Sequence, residues 1–132
     1  MQNIPPSHQD LLTDEKKAYA YLATIMPDGA PQLTPLWFNV EGEYILINSA
    51  RGRVKDKNMR ANPNVAILIT DPDDPHYRYL QIRGRVVEIT ETGGDEHINT
   101  LSLKYDGKPW VLRPGQTRVI YKIKPEKIFA SD

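Results

Sequence analysis

The sequence predicts a mainly β fold, six antiparallel strands in a closed or partly closed barrel with short flanking helices, and three observations carry that prediction. Short apolar and β-branched runs recur along the chain, among them AYLATI (20–25), YILINS (44–49) and VAILIT (65–70). Tight turns separate several of them, as at Met26-Pro27-Asp28-Gly29 and Glu41-Gly42-Glu43. Helical spacing of apolar residues is confined to a few short stretches. Short strands joined mainly by short connections bury their apolar faces most economically by curling the sheet on itself.

Taken in order, Ser7 and Asp10 have the spacing of a capping box ahead of Leu11 and Leu12, which predicts a short N-terminal helix. The first strand, 20–25, enters the Pro-Asp-Gly turn, and a second runs from Gln32 to Val40. The third, 44–49, places apolar residues at successive positions and reads as buried on both faces. Lys55 to Ala61 is a short helix that stops before Asn62-Pro63, because the residue preceding a proline is driven out of the helical region. The fourth strand, 65–70, is continuously apolar and also reads as buried on both sides. A long fifth strand spans about Arg78 to Thr90, with Leu80, Ile82, Gly84 and Val86 on one face and Gln81, Arg83 and Arg85 on the other. That alternation fails at Val87 and Ile89, which places a bulge or bend near Gly84. Ile98, Leu101 and Tyr105 mark one face of a helix that starts near Asp95, Trp110 lies in a loop, and Val119, Tyr121 and Ile123 mark the last strand.

The 132 residues suffice for one domain, 1–132, with its own core. Hydrophobic residues make up 39% and charged residues 26%, ordinary values for a globular chain. No apolar run reaches the roughly 20 residues of a membrane span, and the polar, Pro-rich start lacks the order of an export signal. Cysteine is absent, which excludes disulfides, thiolate catalysis and Cys-based metal sites. The expected compartment is the cytoplasm. The 17 basic and 17 acidic residues cancel, so the basic excess needed to displace counterions from long nucleic acid is missing.

The charge is nonetheless uneven. Residues 51–60 carry Arg51, Arg53, Lys55, Lys57 and Arg60 against the single acid Asp56. A solvated basic helix accounts for such a run on charge alone. Its position directly after a buried strand, across a glycine and at a helix start, suits a phosphate better, with Ser49 as a further donor. The second strand holds Pro31 and Pro35, which withhold ladder donors and mark an edge or bulge, so Gln32 and Thr34 are available to a flat heterocycle. An irregular edge with surface Gln and Thr explains them equally well. Tyr77, Tyr79 and Trp110 are candidates to wall a planar ring. His8, His76 and His97 have no metal-ligand spacing and are expected at the surface. With no nucleophile motif, P-loop or acid–base pair, reactivity would have to come from a cofactor. A small nucleic-acid-binding barrel is the different-fold alternative, against which the zero net charge counts.

Four segments, YLATIMPDGAPQLTPLWF (21–38), INSARGRVKDKNMRANPNVAILI (47–69), DPDDPHYRYLQIRGRVVEI (71–89) and TRVIYKIKPEKI (117–128), resemble the pyridoxamine-phosphate-oxidase-like family of FMN-binding split-barrel flavoproteins. The resemblance is closer to the deazaflavin-dependent branch, whose members use coenzyme F-420. It implies a homodimer with cofactor at the subunit interface and a small-molecule substrate, without nucleic acid or membrane. By motif, Lys55 matches the phosphate-binding lysine, with Arg53, Lys57 and Ser49 at the same group. Gln32, Thr34, Pro35 and Trp37 match the strand lying along the ring, Tyr79 matches a contact from the opposite subunit, and Asn58 is a weaker match that also suits a local helix cap. The oxidases that make pyridoxal phosphate carry a longer C-terminal region with Trp and Arg residues, and no equivalent is evident before Asp132. The resemblance therefore implies a deazaflavin-dependent oxidoreductase passing hydride to a small unsaturated or heteroaromatic compound. An FMN-dependent oxidase or flavin reductase is the alternative on the same fold, and a non-enzymatic flavin-, deazaflavin- or haem-binding protein is a third.

Overall fold

The computed structural model describes residues 3–132; Met1 and Gln2, the start of the polar N-terminal stretch, lie outside the described residues. After a 3-10 helix at Pro6–Leu12 the chain forms β1 (Tyr19–Ile25), β2 (Pro31–Leu36), β3 (Phe38–Glu41), β4 (Tyr44–Ala50), α1 (Val54–Ala61), β5 (Asn64–Thr70), β6 (Tyr79–Thr90), α2 (Gly94–Asp106) and β7 (Arg118–Ala130). All seven strands belong to one antiparallel sheet in the order β2-β1-β5-β6-β7-β4-β3. The edge strands β2 and β3 are thus the farthest apart in pairing order, yet only Trp37 separates them in the chain. Two peptide units reach no more than about 7 Å, so the sheet must curl until its two edges meet. The fold is a split barrel with its seam at Trp37.

That seam corrects the strand count from six to seven. The second strand does not continue from Gln32 to Val40: its first half pairs with β1, and beyond Trp37 its second half pairs with β4. A straight strand cannot serve two partners that diverge around a barrel, so the chain breaks where the partner changes. The expected capping box does not form either. The 3-10 helix follows Pro5, the Ser7 hydroxyl hydrogen-bonds the His8 ring at 2.8 Å, and the Asp10 carboxylate is engaged by Arg78.

The turns behave as their residues require. Asp28 Oδ1 accepts the Ala30 N–H at 3.0 Å, and the Gly29 N–H closes onto the Met26 carbonyl. Strand β4 is buried from Ile45 to Ala50, because the barrel core covers one face and α2 the other. Burial on β5 is less complete than the apolar run suggests: Val65, Ile67 and Ile69 are buried, whereas Ala66 and Leu68 are half-exposed on the outer face. On β6 the register against β7 shifts between Arg83 and Gly84 and again between Val86 and Glu88. Gly84 is obligatory there, since a Cβ would stand 2.6 Å from the Lys124 carbonyl oxygen. The core is built from inward residues such as Leu22, Phe38, Ile47, Ile67, Ile82 and Tyr121.

Two histidines expected at the surface are buried. His8 is 6% and His97 8% exposed, each satisfied by neutral partners, while His76 alone is exposed. His8 Nε2 lies 3.1 Å from the Ser131 hydroxyl, which also accepts the Tyr79 N–H at 2.9 Å, so the N-terminal helix locks the chain's end against β6. A second clasp is ionic. Arg78 reaches Asp71 at 2.8 Å, the Ser7 carbonyl at 2.7 Å and Asp10, and Lys16 reaches Asp71 at 3.1 Å.

Burial opposes ionisation of Asp71, but the Arg78 guanidinium, the Asp73 N–H and Lys16 outweigh it and hold the carboxyl at about 2, against an ordinary 3.8. Because the folded value lies below the unfolded one, this stabilisation is complete above the unfolded value and disappears as the pH falls toward 2. Urea denaturation between pH 5 and 2 should show stability falling as Asp71 is protonated, and Asp71→Asn should flatten that dependence.

Candidate cofactor site

The basic segment turns sharply out of β4. The Arg51 N–H donates to the Thr117 carbonyl at 2.9 Å, and Gly52 adopts φ +91°, a left-handed conformation that favours glycine. The lone acid of the segment organises this turn. Asp56 is 2% exposed; its carboxylate accepts the Gly52 N–H at 2.8 Å, the Arg60 Nε–H at 3.0 Å and the Tyr121 hydroxyl from the barrel wall. Burial works against its charge, but these donors prevail and hold the carboxyl below its usual range. Asn58, also buried, ties the helix to β1 by donating to the Thr24 hydroxyl at 3.0 Å, and Thr24 donates to Gln32 Oε1 at 3.1 Å. Asn58 is therefore a tether and not a cap: it lies within α1, and Asn62 occupies the C-cap position. With Asp56, Asn58 and Met59 turned inward, α1 leaves Arg53 and Lys57 exposed and Lys55 half-buried.

The seam supplies a flat wall. Trp37 stacks on Tyr105 with ring centres 5.5 Å apart and planes within 5°, and meets Trp110 edge-on at 6.0 Å. A recess of about 410 Å³ opens beside it, lined in part by Tyr21, Pro35, Trp37 and Tyr105. Gln32 and Thr34 are half-buried on the inner side of β2, and Pro35 is exposed. Two buried polar atoms here have no partner among the described residues, the Thr34 hydroxyl and the Trp110 indole nitrogen.

Arg118, at the start of β7, joins the two halves. Its guanidinium lies 5.2 Å from the Trp110 ring, and its field reaches Lys55. Burial first, then repulsion from Arg53 and Arg118, pushes the Lys55 ammonium below the usual lysine range. Among the described residues, none of Arg53, Lys55 and Arg118 forms a salt bridge with a carboxylate. The site thus runs from an aromatic wall to a group of cations that, among the described residues, make no salt bridge.

The sequence-derived candidates divide accordingly. Lys55 and Arg53 lie in the cationic end, and Pro35 and Trp37 lie at the wall. Lys57 borders a separate recess with Met26, Pro27 and Asn58. The Ser49 hydroxyl is buried with no partner among the described residues, but its strand position puts it on the inward face with Ile45 and Ile47, opposite to the face of Asn48. Tyr79 lies beside Phe129 at the start of β6. Arg85, six residues on, pairs with Asn64 just after α1, so Tyr79 stands about 20 Å from that end of its own sheet. Tyr77 is 75% exposed, with its ring against His76, so Trp110 and not Tyr77 reaches the wall. Sequence reading missed Arg118, Asp56 and Tyr105. Only Asp56 left a signal, as one acid among five bases spaced four residues from both Gly52 and Arg60.

A family model described as pyridoxamine 5'-phosphate oxidase matches residues 4–132. The chain belongs to the pyridoxamine 5'-phosphate oxidase family. A solved F420 reductase is 36% identical, covering 96% of this chain and 98% of its own, with a TM-score of 0.83. General Stress Protein 26 from Bacillus anthracis str. Sterne is 26% identical over 93% of this chain and 92% of its own, with a TM-score of 0.67. A conserved hypothetical protein from Mycobacterium tuberculosis, 24% identical over 98% of this chain and 85% of its own, shares the fold with a TM-score of 0.73. No curated protein matches the sequence. Membership in this family makes the chain one of a group of flavin- and deazaflavin-related oxidoreductases. Among the described residues no helix is long and apolar enough to cross a membrane.

The family's tricyclic coenzymes need a flat wall for the ring and cations for an anionic tail, and the residues present fit both needs. Because Asp56 fixes the turn that presents Arg53 and Lys55, Asp56→Ala should lower stability by about 3 kcal/mol. Urea denaturation measures the loss, and hydrogen exchange should show α1 amides opening faster.

Proposed function

We propose that this family member is a deazaflavin-dependent oxidoreductase, using coenzyme F-420 to pass hydride to a small unsaturated or heteroaromatic substrate. The observation that carries this reading is the 36% identity to an F420 reductase along nearly the whole length of both chains, supported by the aromatic wall and the uncompensated cations. When bound, the deazaflavin supplies the hydride. The chain's own residues do the rest. Lys55 and Arg53 hold the anionic tail, and Trp37 with Pro35 bounds the ring. Gln32, held from β1 and α1 through Thr24 and Asn58, and Thr34, whose hydroxyl has no partner among the described residues, offer polar groups to its edge. Trp110 shields the wall from water.

The working unit in this reading is a homodimer. Tyr79, at the far end of β6 from α1, is assigned in this reading to the site of a second copy of the chain. The family match keeps FMN as the competing coenzyme, because a ribityl phosphate engages the same cations. Fluorescence titration separates them: tight binding of coenzyme F-420 and weak binding of FMN is the expected result, and the reverse order rejects the deazaflavin assignment. Lys55→Ala should weaken coenzyme binding by about 1.5–3 kcal/mol, the contribution of a charge-assisted phosphate contact, and leave the urea midpoint nearly unchanged. Parent-like affinity in that variant would place the tail elsewhere.

A further inference from the structure

Arg118 is the one arginine among the described residues that is buried, at 4% exposure. A buried guanidinium ordinarily faces a carboxylate, because desolvating an unpaired charge is costly. Arg118 faces neutral amides instead. Its Nε–H donates to Asn48 Oδ1 at 2.9 Å and its Nη1–H to Gln116 Oε1 at 3.1 Å. Repulsion from Arg53 and Arg113 raises the cost further, and the fields of Tyr121 and Asp95, neither of them bonded to the guanidinium, offset only part of it.

The amide that aims it is itself fixed from behind. Asn48 Nδ2 donates to the Gly94 carbonyl at 3.0 Å and to His97 Nδ1 at 3.1 Å. The opposite ring nitrogen of His97 donates to Asn39 Oδ1 at 2.8 Å, and these two partners assign the neutral Nε2–H tautomer. Burial, then the Arg118 charge, keeps the ring neutral, with a pKa of about 4. Close packing leaves the chain little play, since a Cβ on Gly94 would stand 2.2 Å from the Arg118 carbonyl oxygen. An aspartate at 48 would fill the same space and cancel the charge; the structure uses its uncharged isostere.

We propose that Arg118 is the buried end of an oxyanion site, taking a phosphate or carboxylate of the coenzyme's tail, and that Asn48 and His97 are positioning residues that orient its guanidinium without neutralising it. This rests on the coenzyme reading above and adds to it a cation from the last strand. Lys55 and Arg53 meet the anion from the solvent side, and Arg118 meets it from the protein side, beside the Trp110 ring.

The test compares the affinities of coenzyme F-420 and of its tail-free deazaflavin for the parent, Arg118→Gln, Arg118→Lys and Asn48→Asp. Arg118→Gln should bind the intact coenzyme about tenfold or more weakly and the tail-free compound within about twofold of the parent, with partial recovery in Arg118→Lys. Asn48→Asp should lose affinity for the intact coenzyme in the same way and bind the tail-free compound within about twofold of the parent, a split between the two ligands that a merely structural role for Asn48 does not produce. It also carries the test if Arg118→Gln fails to fold. Equal weakening of both compounds, or no change in either, overturns the assignment of Arg118; parent-like binding in Asn48→Asp overturns the positioning role. If the parent binds neither compound, the coenzyme reading fails and inorganic phosphate decides alone. A melting temperature raised by phosphate in the parent but not in Arg118→Gln supports the oxyanion site, and no rise in the parent removes it.

Discussion

A single residue, Trp37, must bridge the two edges of a seven-stranded sheet, and much of the architecture follows from that short reach. The curl it enforces turns one face of every strand into a common core and leaves a seam. An indole at the crossing cannot be packed within either edge strand, so it lies across the break, where the helix of Tyr105 and the loop of Trp110 close on it. The wall of the candidate site is therefore a by-product of barrel closure. Little beyond the fold itself is needed to hold it in place.

Electrostatics supply the other half. The chain is neutral overall, and the basic segment contains an acid that in an unfolded chain would offset part of its charge. Folding separates the two signs. Asp56 is drawn under the turn, where the Gly52 N–H, Tyr121 and Arg60 consume its acceptor capacity, and Arg53 and Lys55 are left without a carboxylate partner among the described residues. The basic excess of 51–60 is already present in the sequence; the three-dimensional arrangement withdraws Asp56 from it and brings Arg118 to it.

How far the sequence could be read depended on whether a residue's role was local. Turn chemistry at Asp28-Gly29, the bulge next to Gly84 and the placement of α1 after a buried strand all follow from short-range rules, and all appear in the structure. The break at Trp37 was illegible because it reflects which distant strands offer partners, a property of closure and not of residues 32–40. His8 and His97 look like surface residues until Ser131 and Asn48, 123 and 49 positions away, provide neutral partners for them. Arg118 was equally hidden: at the head of an apolar strand it resembles any solvated arginine, and only pairing with β4 brings Asn48 to it.

Strand β2 ends the sheet with one side unpaired, and a free strand edge is a template on which a foreign strand can add. Pro31 and Pro35 lie on it, each lacking the N–H that such an addition would engage. The open edge of the barrel is thereby kept from growing into a fibre. Replacing both prolines would trade a protected opening for a propagating one, even if every contact inside the barrel survived.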